Sequence, residues 1–143
     1  GQSRDLLISL AYDLGIASNI IFVGKVNIDM VPLYLGLADI GISPIPMEEI
    51  FLVSSPTKII EYMASGLPSV CTPIPDQLSI VEESGVGICK NFTPSELAEG
   101  ILSLLNNLDN NTVKNKIIKD WVRKNRDYKN MIPKFEKEIN SIG

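Results

Sequence analysis

The residues best suited to hold a ligand lie at a predicted helix start near the middle of the chain. Ser55 is a good N-cap and Pro56 suits the first helical position. The free backbone N–H groups of Thr57 and Lys58, together with the helix dipole, then form a site for an anion such as a phosphate. Lys58 adds a full positive charge. Glu61 lies on the same helix face one turn later, where a carboxylate is placed to accept hydrogen bonds from a ribose diol.

The same segment also fits a purely structural interpretation. Ser-Pro-Thr-Lys is an ordinary helix start, and Lys58 with Glu61 would then be a surface pair worth less than ~0.5 kcal/mol. The surrounding charge favours a ligand, because Lys58 and Lys25 are the two basic residues beside predicted strand ends in an acidic stretch. The neighbouring Ile60 is expected to face the sheet. Spacing by itself leaves both interpretations open.

The elements that must position these residues alternate between short apolar runs and helices. Strands are predicted at 19–24, 39–44, 68–72 and 87–90. Helices are predicted at 3–15, 30–38, 56–65, 94–107, 111–125 and 128–142, with a short one that ends at Gly85. The helix at 3–15 has an apolar face formed by Leu6, Leu7, Leu10 and Ala11, and the last helix carries an apolar stripe formed by Ile132, Phe135, Ile139 and Ile142.

Short apolar strands separated by helices imply a parallel sheet that is covered on both faces. We therefore predict an α/β fold: a Rossmann-like parallel sheet of about four strands flanked by helices, with extra C-terminal helices over 108–143. Residues 1–143 are expected to be a single truncated domain that has lost its first βαβ portion. Ligands bind at the carboxyl ends of such strands, which selects the loops at 24–27, 45–55 and 73–77.

Composition narrows the class of protein. The chain has 143 residues, a net charge of −4 and no His, so nucleic-acid binding is disfavoured and His-based chemistry is excluded within it. Most of its basic residues lie between Lys114 and Lys137. That segment is either a pair of solvated helices or a source of weak attraction to anionic lipid headgroups. Cys71 and Cys89 lie in different apolar runs without a C-x-x-C spacing, which predicts buried, reduced thiols.

The stretch from Ser55 to Pro68, Ser-Pro-Thr-Lys-Ile-Ile-Glu-Tyr-Met-Ala-Ser-Gly-Leu-Pro, resembles the donor-binding segment of family-four retaining glycosyltransferases of the GT-B fold. The flanking runs at 20–26, 38–44 and 85–87 and the helix at 94–107 resemble the corresponding parts of that family in the same order. The resemblance covers roughly residues 1–107. It implies that the chain is part of the C-terminal, donor-binding half of a two-domain enzyme.

The resemblance also implies roles for individual residues. Glu61 matches the second Glu of the family's Glu-x7-Glu motif, which holds the ribose, and Ser55 to Lys58 would hold the diphosphate. Gly24, Lys25 and Val26 would lie near the base. The reaction would transfer a sugar from a nucleoside diphosphate sugar with retention at the anomeric carbon, without a metal or other cofactor.

One position departs from the family pattern. The first Glu of the motif falls on Val53, which has no polar side chain to contact the donor sugar, and no catalytic residue is identified. The family's basic residue in the first βα loop and its acceptor domain also lie outside this chain. The chain by itself is therefore expected to be inactive.

The expected acceptor is a glycan or a lipid-linked molecule bound by the N-terminal domain, in cell-surface polysaccharide synthesis. The expected location is the cytoplasm, with peripheral contact at the inner face of the membrane as the alternative for the basic end. Two other functions compete: a nucleotide-sugar epimerase of the same fold, and a non-catalytic α/β interaction domain similar in outline to receiver domains. The last is disfavoured because Lys25, Pro44 and Thr72, rather than a cluster of acids, stand at the predicted strand ends.

Overall fold

The structure is a computed structural model that describes residues 3–107 and 111–142, without the side chains of 111–115. The chain divides into two compact units, Gly1–Leu33 and Tyr34–Gly143. Eight α-helices are described: α1 (Arg4–Asp13), α2 (Val31–Leu35), α3 (Glu49–Leu52), α4 (Thr57–Ser65), α5 (Pro75–Ser84), α6 (Pro94–Leu105), α7 (Asn111–Arg126) and α8 (Tyr128–Ile142). Three strands are described: β1 (Gly41–Ser43), β2 (Ser69–Cys71) and β3 (Ile88–Cys89).

The first unit is built around α1. The helix ends as predicted, with Gly15 in the left-handed region at φ 67°. Its predicted apolar face is only partly correct. Ala11 is buried, whereas Leu6, Leu7 and Leu10 are exposed.

The strand predicted at 19–24 is wrong. Asn19 closes a 3₁₀ turn over Ala17–Asn19, and Ile20 then continues in an extended conformation without joining a ladder. Ile21 is 87% exposed. An apolar run becomes a strand only when a neighbouring strand pairs with it, and none of the described residues does so here. The sheet of the described chain therefore has three strands rather than four.

The second unit contains that sheet, in the order β1-β2-β3 with all strands parallel. Gly41, Ile42 and Ser43 pair with Ser69, Val70 and Cys71, and the last two pair with Ile88 and Cys89. The central strand β2 is fully buried. This burial on both faces agrees with the prediction that helices cover both faces of the sheet. The α/β fold with a parallel sheet flanked by helices is confirmed.

One face of the sheet packs against α4 and α5, and α7 packs against these two helices. The buried cluster there consists of Ile59, Met63, Cys71, Ile80, Ile118 and Val122. On α6, a Cβ added at Gly100 would lie 2.9 Å from Cγ1 of Val70. Glycine therefore lets α6 approach β2 closely. Layers of helices thus surround the middle strand.

Helix α4 is fixed at its C-terminal end by Gly66. Gly66 has φ 87°, and the backbone N–H of Leu67 donates to the carbonyl of Tyr62 at 2.9 Å, which is the C-terminal capping pattern that glycine permits. The side chain of Tyr62 then joins α4 to β1, because its hydroxyl donates to the carbonyl of Ile42 at 3.2 Å. Burial, and after it the charge of Glu61, raise the pKa of Tyr62.

The last two helices follow the predicted boundaries closely. The apolar stripe predicted on α8 is present along the helix, and its residues are exposed: Ile132, Phe135, Ile139 and Ile142. In the described part of the chain, no helix combines the length and the apolar character that a membrane crossing requires.

Candidate functional site

The N-terminus of α4 begins one residue later than predicted. Pro56, with φ −69° and ψ 123°, is the N-cap, and Thr57 is the first helical residue. The prediction that Ser55 caps the helix and that Pro56 opens it is therefore wrong. The fixed φ of proline fits either position, and the extended ψ of Pro56 decides between them. No side chain of the described residues caps this helix start.

The outer face of α4 carries the predicted ligand-binding side chains. Thr57, Lys58 and Glu61 are all exposed. The inner face is formed by Ile59 and Met63, which are buried. Ile60, which was expected to face the sheet, is half-buried at the margin of that cluster.

Lys58 and Glu61 do not form the surface ion pair of the structural interpretation. Among the described residues the ion pairs are Arg4–Asp5, Lys90–Glu99, Arg123–Asp120 and Arg126–Asp76. Within that part of the chain the Lys58 ammonium group has no carboxylate partner. A free cation beside uncapped N–H groups at a helix start is an arrangement that attracts an anion.

Ser55 has a different role from the predicted one. Its hydroxyl donates to Oδ2 of Asp76 at 2.9 Å, and Nη2 of Arg126 donates to the other oxygen, Oδ1, at 3.2 Å. Asp76 lies in the first turn of α5, where the helix dipole favours a carboxylate. This network, Ser55–Asp76–Arg126, joins the segment before α4 to the start of α5 and the end of α7.

A second network fixes the ends of β1 and β2 below this segment. The Thr72 hydroxyl donates to the carbonyl of Ile45 at 2.7 Å and accepts from the Ile45 N–H at 3.0 Å. Gln77 is fully buried, and its Nε2 donates to the carbonyl of Thr72 at 3.0 Å. The sequence predicts Gln77 in the loop at 73–77, whereas the residue lies in α5. Nothing in the local sequence indicates that its side chain is buried and binds the end of β2.

In the first unit, Gly24 and Lys25 are exposed and Val26 is half-buried. Gly24 has φ 80°, so the chain turns there through a conformation that favours glycine. A cavity of about 750 Å³ is lined by Gly24, Lys25, the run at 21–23 and residues of α1 and its N-cap. Among the latter is Arg4, so two cations line this cavity. The sequence interpretation missed Arg4, although it is one of the few basic residues before position 113.

A comparison with models of protein families shows the family to which the chain belongs. The model described as "Glycosyl transferases group 1" matches residues 1–107. The chain belongs to this family. Comparisons with curated proteins and with solved structures found no match. A group 1 glycosyltransferase acts on a sugar donor and an acceptor, so the resemblance described above is confirmed at that level.

In this glycosyltransferase the loop at 45–55 is not wholly irregular. It contains the short helix α3, and Glu48 is the N-cap of that helix. Val53, the residue at the position of the first motif Glu, follows α3 directly and is 90% exposed. Its side chain offers only methyl groups to a ligand. Assignment of the predicted residues to donor contacts stays a prediction.

Proposed function

We propose that this glycosyltransferase chain is the donor-binding part of a retaining enzyme of family four with the GT-B fold. In this proposal it binds a nucleoside diphosphate sugar and transfers the sugar to a glycan or lipid-linked acceptor held by an N-terminal half, in the synthesis of a cell-surface polysaccharide. The observation that carries the proposal is the outer face of α4, where Thr57, Lys58 and Glu61 lie together and exposed.

The chemistry of that face fits a nucleoside diphosphate. A diphosphate is an anion, and Lys58 together with the N–H groups at the start of α4 supplies positive charge and donors. Glu61 offers acceptors for ribose hydroxyls one turn further along. Because Lys58 already brings a cation to this position, we propose that the diphosphate is held without a metal. Ser55 contributes indirectly, since its hydroxyl is engaged by Asp76.

We propose that the base lies near Gly24, Lys25 and Val26 of the first unit. Gly24, Lys25 and Val26 lie in its turn after the extended run, and the cavity beside Gly24 and Lys25 has aromatic and apolar walls from Phe22, Ile21 and Leu7. Such walls suit a flat heterocycle, because ligand sites combine apolar surface with a few polar groups. Arg4 is added to the predicted residues on this side.

Hydrogen exchange tests the diphosphate assignment. We expect a saturating nucleoside diphosphate to slow amide exchange over residues 55–61 of the full-length enzyme, and Lys58→Ala to abolish this protection. Lys124→Ala removes an exposed cation from α7 instead and serves as the matched control, which should leave the protection intact. Unchanged exchange at 55–61 in the parent, or equal loss in both variants, would overturn the assignment.

Product analysis tests the reaction. With a nucleoside diphosphate sugar as substrate, we expect the full-length enzyme to release the nucleoside diphosphate and leave the sugar on an acceptor with its anomeric configuration retained. Recovery of the nucleotide sugar with an inverted ring carbon would instead identify an epimerase. The chain of 143 residues is expected to bind nucleotide without transferring sugar, because in this proposal the acceptor is held by the N-terminal half.

A further inference from the structure

The two cysteines form a pair that the sequence interpretation did not foresee. Cys71 ends β2 and Cys89 ends β3, and they lie directly opposite each other in the parallel ladder. Their sulfur atoms are 3.4 Å apart, and both thiols are free. Neighbouring strands lie about 4.8 Å apart, which falls within the roughly 4.4–6.8 Å between Cα atoms that a disulfide accommodates. The ladder therefore holds two thiols at a separation from which they can be joined.

The two thiols have unequal surroundings. Cys71 is fully buried, whereas Cys89, predicted to be buried, is only partly so. The hydrogen bond between the two sulfurs, with burial adding to it, raises the pKa of Cys71. The same hydrogen bond lowers the pKa of Cys89, against the opposing effects of burial and of Glu82. Cys89, whose sulfur is the more exposed of the two, is therefore the member that loses its proton more readily. Since the thiolate is the nucleophile, Cys89 is the reactive member of the pair.

We propose that Cys71 and Cys89 form a dithiol modification site that reacts with a small-molecule disulfide and closes to an intrachain disulfide. In the first step the Cys89 thiolate attacks one sulfur of the small disulfide, a mixed disulfide forms, and one small thiolate leaves and takes up a proton. In the second step Cys71 loses its proton to solvent and attacks Sγ of Cys89, and the second small thiol leaves. Two protein thiols are oxidised, and one disulfide is reduced to two thiols. This site is independent of the proposed sugar transfer.

Mass spectrometry of the full chain treated with glutathione disulfide tests the site. The expected product of the folded protein has lost the mass of two hydrogen atoms, carries no glutathione, and contains a peptide in which Cys71 is linked to Cys89. Cys71→Ser should stop at one glutathione attached to Cys89. Cys89→Ser should stay unmodified while folded, because its remaining thiol is buried. The urea-unfolded parent, in which both thiols are accessible, is the control for reagent activity.

Three results would overturn the proposal: a folded parent that stays unmodified, a parent that retains glutathione, or Cys89→Ser reacting as fast as Cys71→Ser. Because substitution within β2 or beside it can prevent folding, the parent gives a second, variant-free measurement. A substoichiometric amount of iodoacetamide should alkylate Cys89 before Cys71 in the folded chain. Equal labelling, or labelling of Cys71 first, contradicts the assigned order of reactivity.

Discussion

The contact between Gly41 and Tyr62 gives the most specific prediction about the fold. A Cβ added at Gly41 would meet the Tyr62 ring, with Cδ2, Cγ and Cε2 all closer than 3.0 Å. The ring is held in place, because its hydroxyl donates to the carbonyl of Ile42 and its helix is anchored by buried Ile59 and Met63. Gly41→Ala must therefore displace the ring or separate α4 from β1.

Two opposing effects determine how much Gly41→Ala changes the free energy of unfolding. Forcing an extra carbon into packed surroundings costs roughly 1–3 kcal/mol. Replacing glycine within a strand returns about 0.5–1 kcal/mol, since the unfolded chain loses freedom. Gly41 does not adopt a positive φ, so backbone strain adds nothing. We expect Gly41→Ala to lower the free energy of unfolding by about 1–2 kcal/mol, measured by urea denaturation with far-UV circular dichroism.

Measuring Gly41→Ala in a Tyr62→Ala protein tests whether the Tyr62 ring causes the loss of stability. In a Tyr62→Ala protein the obstructing ring is absent, so Gly41→Ala should stabilise by about 0.5–1 kcal/mol. The reversal of sign is the signature of this particular contact. If Gly41→Ala leaves the parent as stable as before, or destabilises both backgrounds equally, the packing of Tyr62 on β1 is not as described.

Three further experiments, which use four substitutions, test hydrogen bonds of the second unit. Gln77→Leu should lower the free energy of unfolding by about 0.5–1.5 kcal/mol, measured in urea, because the Thr72 carbonyl loses the amide donor of Gln77 and keeps only the Ile74 N–H; a change within error would contradict that role. In a double-mutant cycle of Ser55→Ala and Asp76→Ala, unfolding should show a coupling of about 0.5–1 kcal/mol, and additivity would mean that the hydroxyl does not bond to Asp76. Hydrogen bonds from the side chain and backbone of Asn91 lower the pKa of Glu96 in the folded protein. The ionised Glu96 side chain therefore stabilises the fold at pH values above its pKa in the unfolded chain, near 4.5, and this stabilisation is lost as the pH falls through the lower pKa of the folded state. Glu96→Gln should therefore make the stability curve flatter on the acid side, and an unchanged acid limb in urea titrations at several pH values would refute this.

Local signals predicted the helices well. Thr93 caps α6 and accepts a hydrogen bond from the N–H of Glu96, which is the arrangement that Thr followed by Pro and Glu indicates. The C-terminal end of α4 is likewise indicated by Gly66, which follows the last helical residue. These two features depend on residues within one helical turn, whereas the start of α4 was predicted one residue too early.

Strands, in contrast to helices, are not predicted reliably from a short stretch of sequence. The run at 20–23 is as apolar as β2, yet only β2 has neighbours on both sides. Strand formation is decided by the partner rather than by the run itself. The same holds for the site: the exposed face of α4 follows from helical periodicity, whereas the bonds from Ser55 and Arg126 to Asp76 span 21 and 50 residues. Only the folded chain brings those groups together.

Asp76 places a negative charge next to the segment for which we propose a pyrophosphate ligand, and Arg126 offsets that charge from a helix outside the matched region 1–107. The ion pair is largely sheltered, with 27% and 22% of the two side chains exposed. The same helix contributes Ile118 and Val122 to the buried side of α4. Helix α7 thus supports the second unit both electrostatically and by packing. Trimming the protein to residue 107 would leave Asp76 without its counter-charge and would expose the buried side of α4, the helix that carries Lys58.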